Sequence, residues 1–437
     1  MNRLLEIDDR EPLSAYAYSY PHKSSYHRLS PPVLLRDAWQ GEDLTKLSLY
    51  VHVPFCEMRC GFCNLFTQSQ PDAAVVDSYL MTLQRQMQVV RSAVPEARYS
   101  QFAIGGGTPT YLTARQLETL LFALERSIDQ PIRSLPTSVE TSPATATPDR
   151  LRILADTGVQ RISIGVQSFV ESELRDIGRP QNTTRVHEAL EAIRALPFPV
   201  LNVDLIYGHP EQELHSWQST VEMAIDYQPE EVYLYPLYVR PQTGLARSGS
   251  PTAGHRVELF REARDLLRIQ GYVQTSLRCF RLPEWTSPST YTCQRDGMVG
   301  LGCGARSYTR RLHYATRFAV TSSGIKAILR DWIGQSDEEL SYATHGIWLS
   351  EEEQRRRYLI MSLLQTDGLV MADYEAIFQS TPDAEFPELE RLAARGWLRR
   401  TEDRLMLTEA GLEQSDQVGP LLYSRAVRAR LKEFVRL

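Results

Sequence analysis

Short β-branched and aromatic runs alternate with longer amphipathic stretches through residues 47–238, and this alternation constrains the fold more than any other feature. Strands that alternate with helices predict βαβ units and a parallel sheet. The six repeats are too few to close an eight-stranded barrel, so we predict an α/β fold with an open partial (β/α)6 TIM-like barrel. The predicted strands are residues 47–53, 101–105, 137–141, 161–165, 200–206 and 231–238, and the predicted helices are residues 74–94, 114–127, 147–157, 183–195 and 214–226. By analogy with full barrels, we expect the chemistry at the carboxyl ends of the strands.

The barrel accounts for only part of the 437 residues, a length that exceeds one ordinary domain. We predict a tyrosine-rich, irregular N-terminal arm at residues 1–46, followed by the barrel at residues 47–250. A mixed α/β extension at residues 251–345 is expected to complete the sheet and the site. The last segment, residues 346–437, is predicted to be mostly helical, and its hairpin pattern at residues 396–411 is typical of a winged helix.

Charge argues against nucleic-acid binding by this winged-helix pattern. Residues 351–437 carry 16 acidic and 13 basic side chains, and the whole chain has a net charge of −6, whereas phosphate contacts require a basic surface. No run approaches the ~20 apolar residues that span a bilayer, and the N-terminus has acids where a secretory signal has its apolar core. We therefore predict a cytoplasmic protein without nucleic-acid or membrane partners.

Three of the six cysteines lie within eight positions, directly after the first predicted strand. Cys56, Cys60 and Cys63 have the spacing C-x3-C-x2-C, and a compact loop at a strand end lets their thiolates converge on one small object. A zinc site would usually add a fourth cysteine or histidine nearby. An iron–sulfur cluster normally takes four cysteines, so three leave one iron open for chemistry. Three structural cysteines without a metal are the alternative.

This spacing resembles that of the radical S-adenosylmethionine (SAM) superfamily. The resemblance implies a [4Fe–4S] cluster whose open iron is chelated by SAM, and cleavage of SAM by the reduced cluster to a 5′-deoxyadenosyl radical. The flanking residues resemble, within this superfamily, the oxygen-independent coproporphyrinogen III oxidase (HemN-like) family. The similar segments are LYVHVPFC at 49–56, IGGGTPT at 104–110, SVETSP at 138–143, SIGVQSF at 163–169, IGRPQ at 177–181 and NVDLIYGHPEQ at 202–212.

Members of this family bind two SAM molecules side by side, and the resemblance extends to individual residues. Cys56, Cys60 and Cys63 are expected to bind the cluster, and no side chain is assigned as an acid–base catalyst. The SAM on the cluster is expected to contact Tyr50, Gly106 and Glu140. The second SAM is expected to contact Phe62, Gly107, Thr108, Gln167, Arg179, Asp204 and Tyr238, and Arg306 is a further cofactor-binding candidate.

Several of these side chains have structural alternatives. Tyr50 alternates on a strand and could belong to the core, whereas Tyr238 lies in an aromatic strand where packing alone could explain it. Arg179 and Asp204 could form a structural ion pair. His52 is expected to be a hydrogen-bonded core histidine rather than a ligand.

The other cysteines, Cys279, Cys293 and Cys303, have spacings of 14 and 10 residues. These spacings match no compact cluster motif, so we predict no second iron–sulfur cluster. Buried or inert thiols are expected, with a substrate-site thiol at Cys293 as the alternative.

Departures from the family pattern direct the functional prediction. The oxidases have a fourth cysteine where this chain has Leu65, and a small residue or isoleucine where it has Tyr238 and Arg306. Related heme chaperones lack an N-terminal arm and carry a His-Asn…Tyr-Trp motif where residues 289–296 read STYTCQRD. We therefore predict a radical SAM enzyme that uses two SAM molecules to transfer a one-carbon unit to an unsaturated carbon, by C-methylation or cyclopropanation. Oxidative decarboxylation of coproporphyrinogen III and heme delivery without catalysis are the alternatives.

The same resemblance suggests the partners. We expect a small-molecule substrate, with a heteroaromatic ring as one option, and an electron donor such as flavodoxin or ferredoxin. A partner methyltransferase is a further candidate. The segment YSYPH at residues 18–22 resembles the arm of the oxidases and is expected either to cover the substrate or to be held only by buried tyrosines.

Overall fold

The computed structural model describes residues 19–209, 211–239, 243–247, 253–285 and 296–436. Tyr18 and Cys293, which carry two of the predictions above, lie outside these residues. The strands of the described residues are β1 His27–Leu34, β2 Leu47–Val53, β3 Phe55–Cys56, β4 Gln68–Ser69, β5 Tyr99–Gly106, β6 Thr137–Thr141, β7 Arg161–Gln167, β8 Val200–Tyr207, β9 Glu231–Pro236, β10 Val273–Gln274, β11 Cys279–Arg281, β12 Met298–Leu301, β13 Arg306–Tyr308, β14 Leu312–Ala315, β15 Tyr342–Trp348, β16 Leu369–Val370, β17 Leu398–Arg400 and β18 Arg404–Leu407. The α-helices are Leu35–Ala38, Ala73–Ala93, Ala114–Ile128, Pro148–Thr157, Glu171–Asp176, Thr183–Arg194, Leu214–Asp226, Ala253–Ile269, Ser322–Ile333, Asp337–Leu340, Glu351–Leu363, Met371–Phe378, Pro382–Glu385, Glu388–Ala394, Glu409–Glu413, Ser415–Leu421 and Arg425–Arg436.

The six predicted barrel strands form a continuous parallel sheet in the order β2-β5-β6-β7-β8-β9. Strand β2 is buried at six of its seven residues, as expected for a parallel strand that is covered on both faces. The two ends of the sheet do not pair with each other among the described residues. The predicted open partial barrel is therefore confirmed.

Local signals set the limits of the barrel helices. The helix Ala114–Ile128 begins with a capping box in which Thr113 and Gln116 satisfy each other's backbone amides. The helix Pro148–Thr157 has proline at its first position and ends at Gly158, whose φ of 87° lies in the left-handed region. Each helix therefore stops in time for the chain to enter the next strand.

Seven further strands widen the sheet to thirteen strands among the described residues. Strand β12 adds in parallel beside β2, and β13, β14, β15 and β1 continue from it in antiparallel pairs. On the opposite edge, β11 and β10 add antiparallel beside β9. The mixed extension thus lengthens the sheet at both edges of the barrel.

The expectation of an irregular N-terminal arm is wrong for His27–Leu34, which forms the edge strand β1. Pro31 and Pro32 make this strand difficult to predict from the sequence, because proline lacks the N–H that a central strand must donate. At the edge of a sheet, the backbone groups on one side of the strand need no hydrogen-bond partner in the sheet. The register with β15 is also interrupted between Arg28 and Val33, around the prolines.

The C-terminal residues form their own core of mostly leucine side chains. Strands β17 and β18 make the predicted hairpin, and β16 pairs with β18 to complete a small three-stranded sheet beside the helices. Tyr20 from the arm is fully buried in this same core. Among the described residues, no helix combines the length and apolar character needed to cross a membrane.

Candidate functional site

A cavity of about 480 Å³ opens at the carboxyl ends of the barrel strands, where the fold places the expected chemistry. Its size lies in the range of small-molecule sites. Eleven of the fourteen predicted site residues line it, and these are Cys56, Cys60, Phe62, Cys63, Gly107, Thr108, Glu140, Gln167, Arg179, Asp204 and Tyr238. Tyr50, Gly106 and Arg306 do not belong to this lining.

The cysteine loop follows β2 and is held at both ends. The short strands β3 and β4 pair in parallel and bring Phe55 opposite Gln68, so the loop leaves and returns at one place. At its tip, the Gly61 amide donates to the carbonyls of Ile177 and Gly178 at 3.1 and 3.2 Å, and the Leu245 amide donates to the Gly61 carbonyl at 2.9 Å. A side chain at Gly61 would approach the Ile177 carbonyl oxygen to 2.7 Å. Glycine between the second and third cysteines is therefore a packing requirement.

Hydrogen-bond donors surround two of the cysteine sulfurs. The hydroxyls of Thr67 and Thr108 donate to Cys56 Sγ at 3.2 and 3.4 Å, and Arg179 Nη1 donates to Cys60 Sγ at 3.2 Å. Burial raises the pKa of the Cys56 thiol to about 11, an effect that the two hydroxyls partly oppose. Donors directed at sulfur suit thiolates that bind a metal.

The cysteine geometry fits a cluster better than a single metal ion. No three His, Cys, Asp or Glu side chains of the described residues converge at distances that would hold one ion. In a [4Fe–4S] cluster each thiolate binds a different iron, so the three sulfurs need to line one cavity without meeting at a point. Cys56, Cys60 and Cys63 satisfy this condition, and they would hold the cluster.

The glycine-rich turn at the end of β5 is shaped by the groups beside it. The Gly106 amide donates to Glu140 Oε2 at 3.2 Å. A side chain at Gly105 would lie 2.8 Å from the Glu140 carboxylate, and one at Gly107 would lie 2.5 Å from the Phe55 carbonyl oxygen. The glycines therefore let the turn lie directly against Glu140 and the cysteine loop.

Two carboxyl groups, Glu140 on β6 and Asp204 on β8, project into the cavity. The Glu140 side chain is open to the cavity but lies deep among protein atoms. This desolvation, and to a lesser extent the nearby Asp204 charge, raises the pKa of Glu140 to about 7. Burial likewise raises the pKa of Asp204 to about 6, although Asn202 and Ser163 donate to its two oxygens at 2.8 and 3.3 Å. The cavity therefore contains two carboxyl groups that ionise near neutral pH.

The polar wall between these acids includes Gln167 and Arg179. Gln167 has a φ of 71°, which turns the chain at the end of β7. Arg179 Nη2 donates to the Gly165 carbonyl at 2.8 Å while Nη1 reaches Cys60, and no ion pair joins Arg179 to Asp204 within the described part of the chain. The structural ion-pair alternative for these two residues is therefore wrong.

Tyr50 lies behind the cysteine loop rather than in the cavity wall. Its hydroxyl hydrogen-bonds to His52 Nδ1 at 3.1 Å, and His52 Nε2 hydrogen-bonds to the Phe66 carbonyl at 2.9 Å. Burial lowers the pKa of His52 to about 4. His52 is thus the buried, hydrogen-bonded histidine that the sequence predicts, and a SAM contact by Tyr50 stays a prediction.

Arg306 lies on β13, outside the strands that line the cavity. Its Nη1 donates to the Ser19 hydroxyl at 3.2 Å, and its guanidinium lies 5.7 Å from the centre of the Tyr308 ring. This position connects Arg306 to the arm, and its cofactor contact also stays a prediction. Its described contacts with Ser19 and Tyr308 indicate a packing role.

The remaining described cysteines are structural. Cys279 on β11 and Cys303 after β12 are buried and unbonded to another cysteine, and burial raises the pKa of both thiols. They lie in different parts of the sheet, so they cannot join one compact cluster. The described residues thus contain no second cysteine cluster.

Sequence reasoning missed the groups that hold Asp204. Ser163 on β7 lines the cavity, and Asn202 donates to both Ser163 Oγ and Asp204. The period of two along a strand would have revealed them, because residues 163, 165 and 167 share one face of β7 and residues 202 and 204 share one face of β8. Neither serine nor asparagine is distinctive enough to be noticed without that placement.

Comparisons with known proteins agree with the fold. The radical SAM superfamily model matches residues 50–224, and the HemN C-terminal domain model matches residues 349–413. The oxygen-independent coproporphyrinogen III oxidase of Pseudomonas aeruginosa is 28% identical over 421 residues, covering 90% of this chain and 89% of that protein. The heme chaperone HemW of Lactococcus lactis is 27% identical over 381 residues, covering 85% of this chain and 96% of that protein.

A solved structure shows the same architecture over nearly the whole chain. It is that of the coproporphyrinogen III oxidase HemN from Escherichia coli, with a TM-score of 0.80 and 24% identity. The similarity covers 93% of this chain and 96% of that chain. The fold of the partial barrel together with its C-terminal domain is therefore the HemN fold.

These relatives correct the functional prediction. The relatives described above are named as coproporphyrinogen III oxidases and a heme chaperone, and these names do not support a methylase or cyclopropanase branch. The prediction of one-carbon transfer is therefore wrong, and with it the reason to expect a partner methyltransferase. The departures at Leu65, Tyr238 and Arg306 therefore do not establish a separate functional branch.

The family matches confirm the predicted cofactors, a [4Fe–4S] cluster and SAM. They also agree with a small-molecule substrate and an electron donor. The chain thus contains a segment of the radical SAM superfamily at residues 50–224, followed by a HemN C-terminal domain at residues 349–413.

Proposed function

We propose that this protein is an oxygen-independent oxidoreductase of the coproporphyrinogen III oxidase type, which decarboxylates propionate side chains of a porphyrinogen. One observation carries the proposal: three cluster cysteines, two carboxyl groups and Arg179 line one cavity in a chain that matches an oxidase of that name over nine-tenths of its length. The reaction class, the substrate and the number of bound SAM molecules are parts of this proposal.

When bound and reduced, the cluster and SAM supply a 5′-deoxyadenosyl radical that removes a hydrogen atom from the substrate. Loss of that hydrogen atom, carbon dioxide and one further electron converts a propionate side chain to a vinyl group. The electron passes to an acceptor outside this chain. The protein therefore has to position its ligands and exclude water, and acid–base catalysis is secondary.

The cavity residues suit these positioning tasks. Ionised Glu140 and Asp204 can hold the positively charged and hydroxyl groups of SAM, because both are held in place by neighbouring donors. Arg179 can grip a carboxylate while it remains in contact with Cys60. Phe62 packs against the apolar side chains of Leu174, Ile177 and their neighbours, and it shields this end of the cavity.

The packing of the arm favours the oxidase over the heme chaperone. The resemblance described above places an N-terminal arm in the oxidases and not in the chaperones. Here Tyr20 is buried against the C-terminal domain, Ser19 accepts from Arg306, and Lys23 lies 4.1 Å from the centre of the Phe318 ring. The described part of the arm is thus built into the fold.

A heme chaperone is the second candidate, because relatives with that name are about as similar as the oxidases. The chaperone differs from the oxidase in whether a reaction product forms. A chaperone binds heme in a fixed ratio and forms no product, whereas an oxidase consumes SAM and substrate.

Anaerobic incubation of the reconstituted protein with coproporphyrinogen III, SAM and a reductant tests the proposal. Mass spectrometry is expected to show products that have lost one and two carbon dioxide molecules, together with 5′-deoxyadenosine. Cys60→Ala, incubated in parallel, is expected to yield neither. Intact substrate, combined with stoichiometric heme binding by the wild-type protein, would instead establish the chaperone.

A further inference from the structure

Tyr238, just beyond the end of β9, connects the cavity wall to the C-terminal domain. Tyr238 lines the cavity, and its hydroxyl bonds two residues that do not belong to that lining. The hydroxyl donates to Asp416 Oδ2 at 2.5 Å and accepts from Arg278 Nη2 at 3.0 Å. The same Arg278 nitrogen donates to Asp416 Oδ1 at 2.7 Å.

The three residues come from three parts of the fold. Tyr238 follows a barrel strand, Arg278 precedes β11 at the edge of the sheet, and Asp416 lies in the C-terminal helix Ser415–Leu421. Arg278 is further fixed by the bond from the Leu234 amide to its carbonyl, and its Nη1 lies 3.4 Å from the Tyr207 hydroxyl. The network therefore joins the barrel to a helix that lies beyond the matched residues 349–413 of the HemN C-terminal domain.

The charged pair in this network is almost completely buried. The side chains of Arg278 and Asp416 are only 2% and 1% exposed. Removal of two charges from water is costly, and an apolar pair of similar size is often at least as stable. A buried ion pair of this kind can serve to fix one particular arrangement of the side chains around it. Here the side chain that the Arg278–Asp416 pair holds is Tyr238 in the cavity wall.

We propose that Asp416 and Arg278 are positioning residues that hold the Tyr238 ring in the cavity wall, so that the C-terminal helix Ser415–Leu421 sets the affinity of the cavity for SAM. This inference rests on the proposed binding of SAM in the cavity. The bonds of the hydroxyl also assign the role of Tyr238: the residue lines the ligand space, and its oxygen belongs to the domain contact.

A neighbouring ion pair provides a matched control. Arg264 Nη1 donates to Glu413 Oε1 at 2.8 Å, and these side chains are 8% and 7% exposed. This pair joins the same C-terminal region to the helix Ala253–Ile269, but neither residue lines the cavity. Glu413→Gln therefore weakens another buried contact of the same C-terminal region without reaching Tyr238.

The first test is Tyr238→Phe, which removes the hydroxyl and leaves the Arg278–Asp416 pair intact. Equilibrium binding of SAM to the anaerobically reconstituted protein is expected to weaken roughly three- to tenfold, because the ring loses the bonds that orient it. Glu413→Gln is expected to lower the melting temperature of the apoprotein and to leave SAM affinity unchanged. Unchanged SAM affinity in Tyr238→Phe would overturn the inference.

The second test is a double-mutant cycle with Asp416→Asn. If Asp416 acts through the tyrosine hydroxyl, Asp416→Asn weakens SAM binding in the wild-type background and has no further effect in the Tyr238→Phe background. Additive losses would overturn the inference, as would a loss in Glu413→Gln equal to that in Asp416→Asn. Should Asp416→Asn fail to fold, Tyr238→Phe alone still decides. A wild-type protein that binds no SAM would refute the proposed function instead, so the two failures are distinguishable.

Discussion

Arg179 donates a hydrogen bond from Nη1 to the sulfur of Cys60 at 3.2 Å, while its Nη2 is held by the Gly165 carbonyl at 2.8 Å. The guanidinium is thus fixed between the end of β7 and the cysteine loop. A positive charge and a donor at this sulfur stabilise the more negative, reduced form of a cluster. Arg179 therefore links the second predicted SAM site to the electronic properties of the cluster.

Arg179→Ala is expected to lower the reduction potential of the reconstituted cluster, because the sulfur loses both its donor and the nearby charge. Arg179→Lys is expected to cause a smaller shift in the same direction, since it keeps the charge without the planar fork. A redox titration followed by electron paramagnetic resonance measures both potentials. Arg175→Ala, on the exposed helix Glu171–Asp176, is the control, and an equal shift in that variant would contradict the expectation.

Single replacement of Cys56, Cys60 or Cys63 by alanine is expected to abolish SAM cleavage. Two thiolates cannot hold the cluster with its open iron facing SAM, so iron after anaerobic reconstitution should fall from about four per chain. Cys279→Ala removes a buried thiol outside the cavity and should retain the iron. Tightly bound zinc in place of iron in the wild-type protein would refute the cluster assignment.

SAM affinity is expected to fall as the pH decreases through about 7, the raised pKa of Glu140. Below this pH the carboxyl becomes neutral and no longer attracts a positively charged ligand. Glu140→Gln should therefore weaken SAM binding at pH 8 and remove most of the pH dependence. Binding measured across this range checks the result, with the exposed Glu118→Gln as control; an unaltered pH profile in Glu140→Gln would disagree with the assignment.

The Glu140 carboxyl is expected to lower the stability of the folded protein at the same high pH at which it favours SAM binding. The pKa of Glu140 is higher in the folded protein than its ordinary value of 4.5, so the folded state loses stability as the pH rises from about 4.5 to about 7. Glu140→Gln, which keeps an acceptor for the Gly106 amide, should raise the melting temperature of the apoprotein at pH 8 and change it little at pH 5. A larger gain at pH 5 than at pH 8 would show that the sign is reversed.

Tyr20→Phe is expected to destabilise the protein by about 1–3 kcal/mol. The Tyr20 hydroxyl donates to the buried Glu353 carboxylate and accepts from the Ser424 amide at 3.1 Å. Its removal leaves that amide without this acceptor and Glu353 with one donor fewer. Denaturant unfolding measures the loss, and Tyr342→Phe at a residue that is 36% exposed is the matched control; equal losses would contradict a specific role for Tyr20.

The barrel could be predicted from the sequence because its strands are short runs with β-branched or aromatic residues between amphipathic helices. Parallel strands must be buried on both faces, which leaves little freedom in composition. Strand β1 was not predicted because Pro31 and Pro32 are incompatible with a central strand, and nothing in the local sequence shows that this strand lies at the edge of the sheet. The position of an element in the sheet is a tertiary property.

The site was predictable to the extent that its residues occur in short motifs. The cysteines and the glycine turn lie close together in sequence, and Glu140 and Asp204 end predicted strands. Arg278 and Asp416 carry no such signal, because they meet Tyr238 only after segments 40 and 178 residues away have folded onto it. The predicted cofactor contact of Arg306 stays a prediction, and its described contacts are with Ser19 of the arm and with Tyr308 on its own strand.

The anchoring of Tyr20 has a consequence for the order of synthesis. Its partners Glu353 and Ser424 lie 333 and 404 residues farther along the chain, so the ribosome has to make all of these residues before the N-terminal segment can take its final place. The barrel and its cysteine loop emerge much earlier. A cluster delivered during translation would meet a cavity whose lining residues, the last of them Tyr238, have already been made, whereas the C-terminal helix that bonds Tyr238 has not.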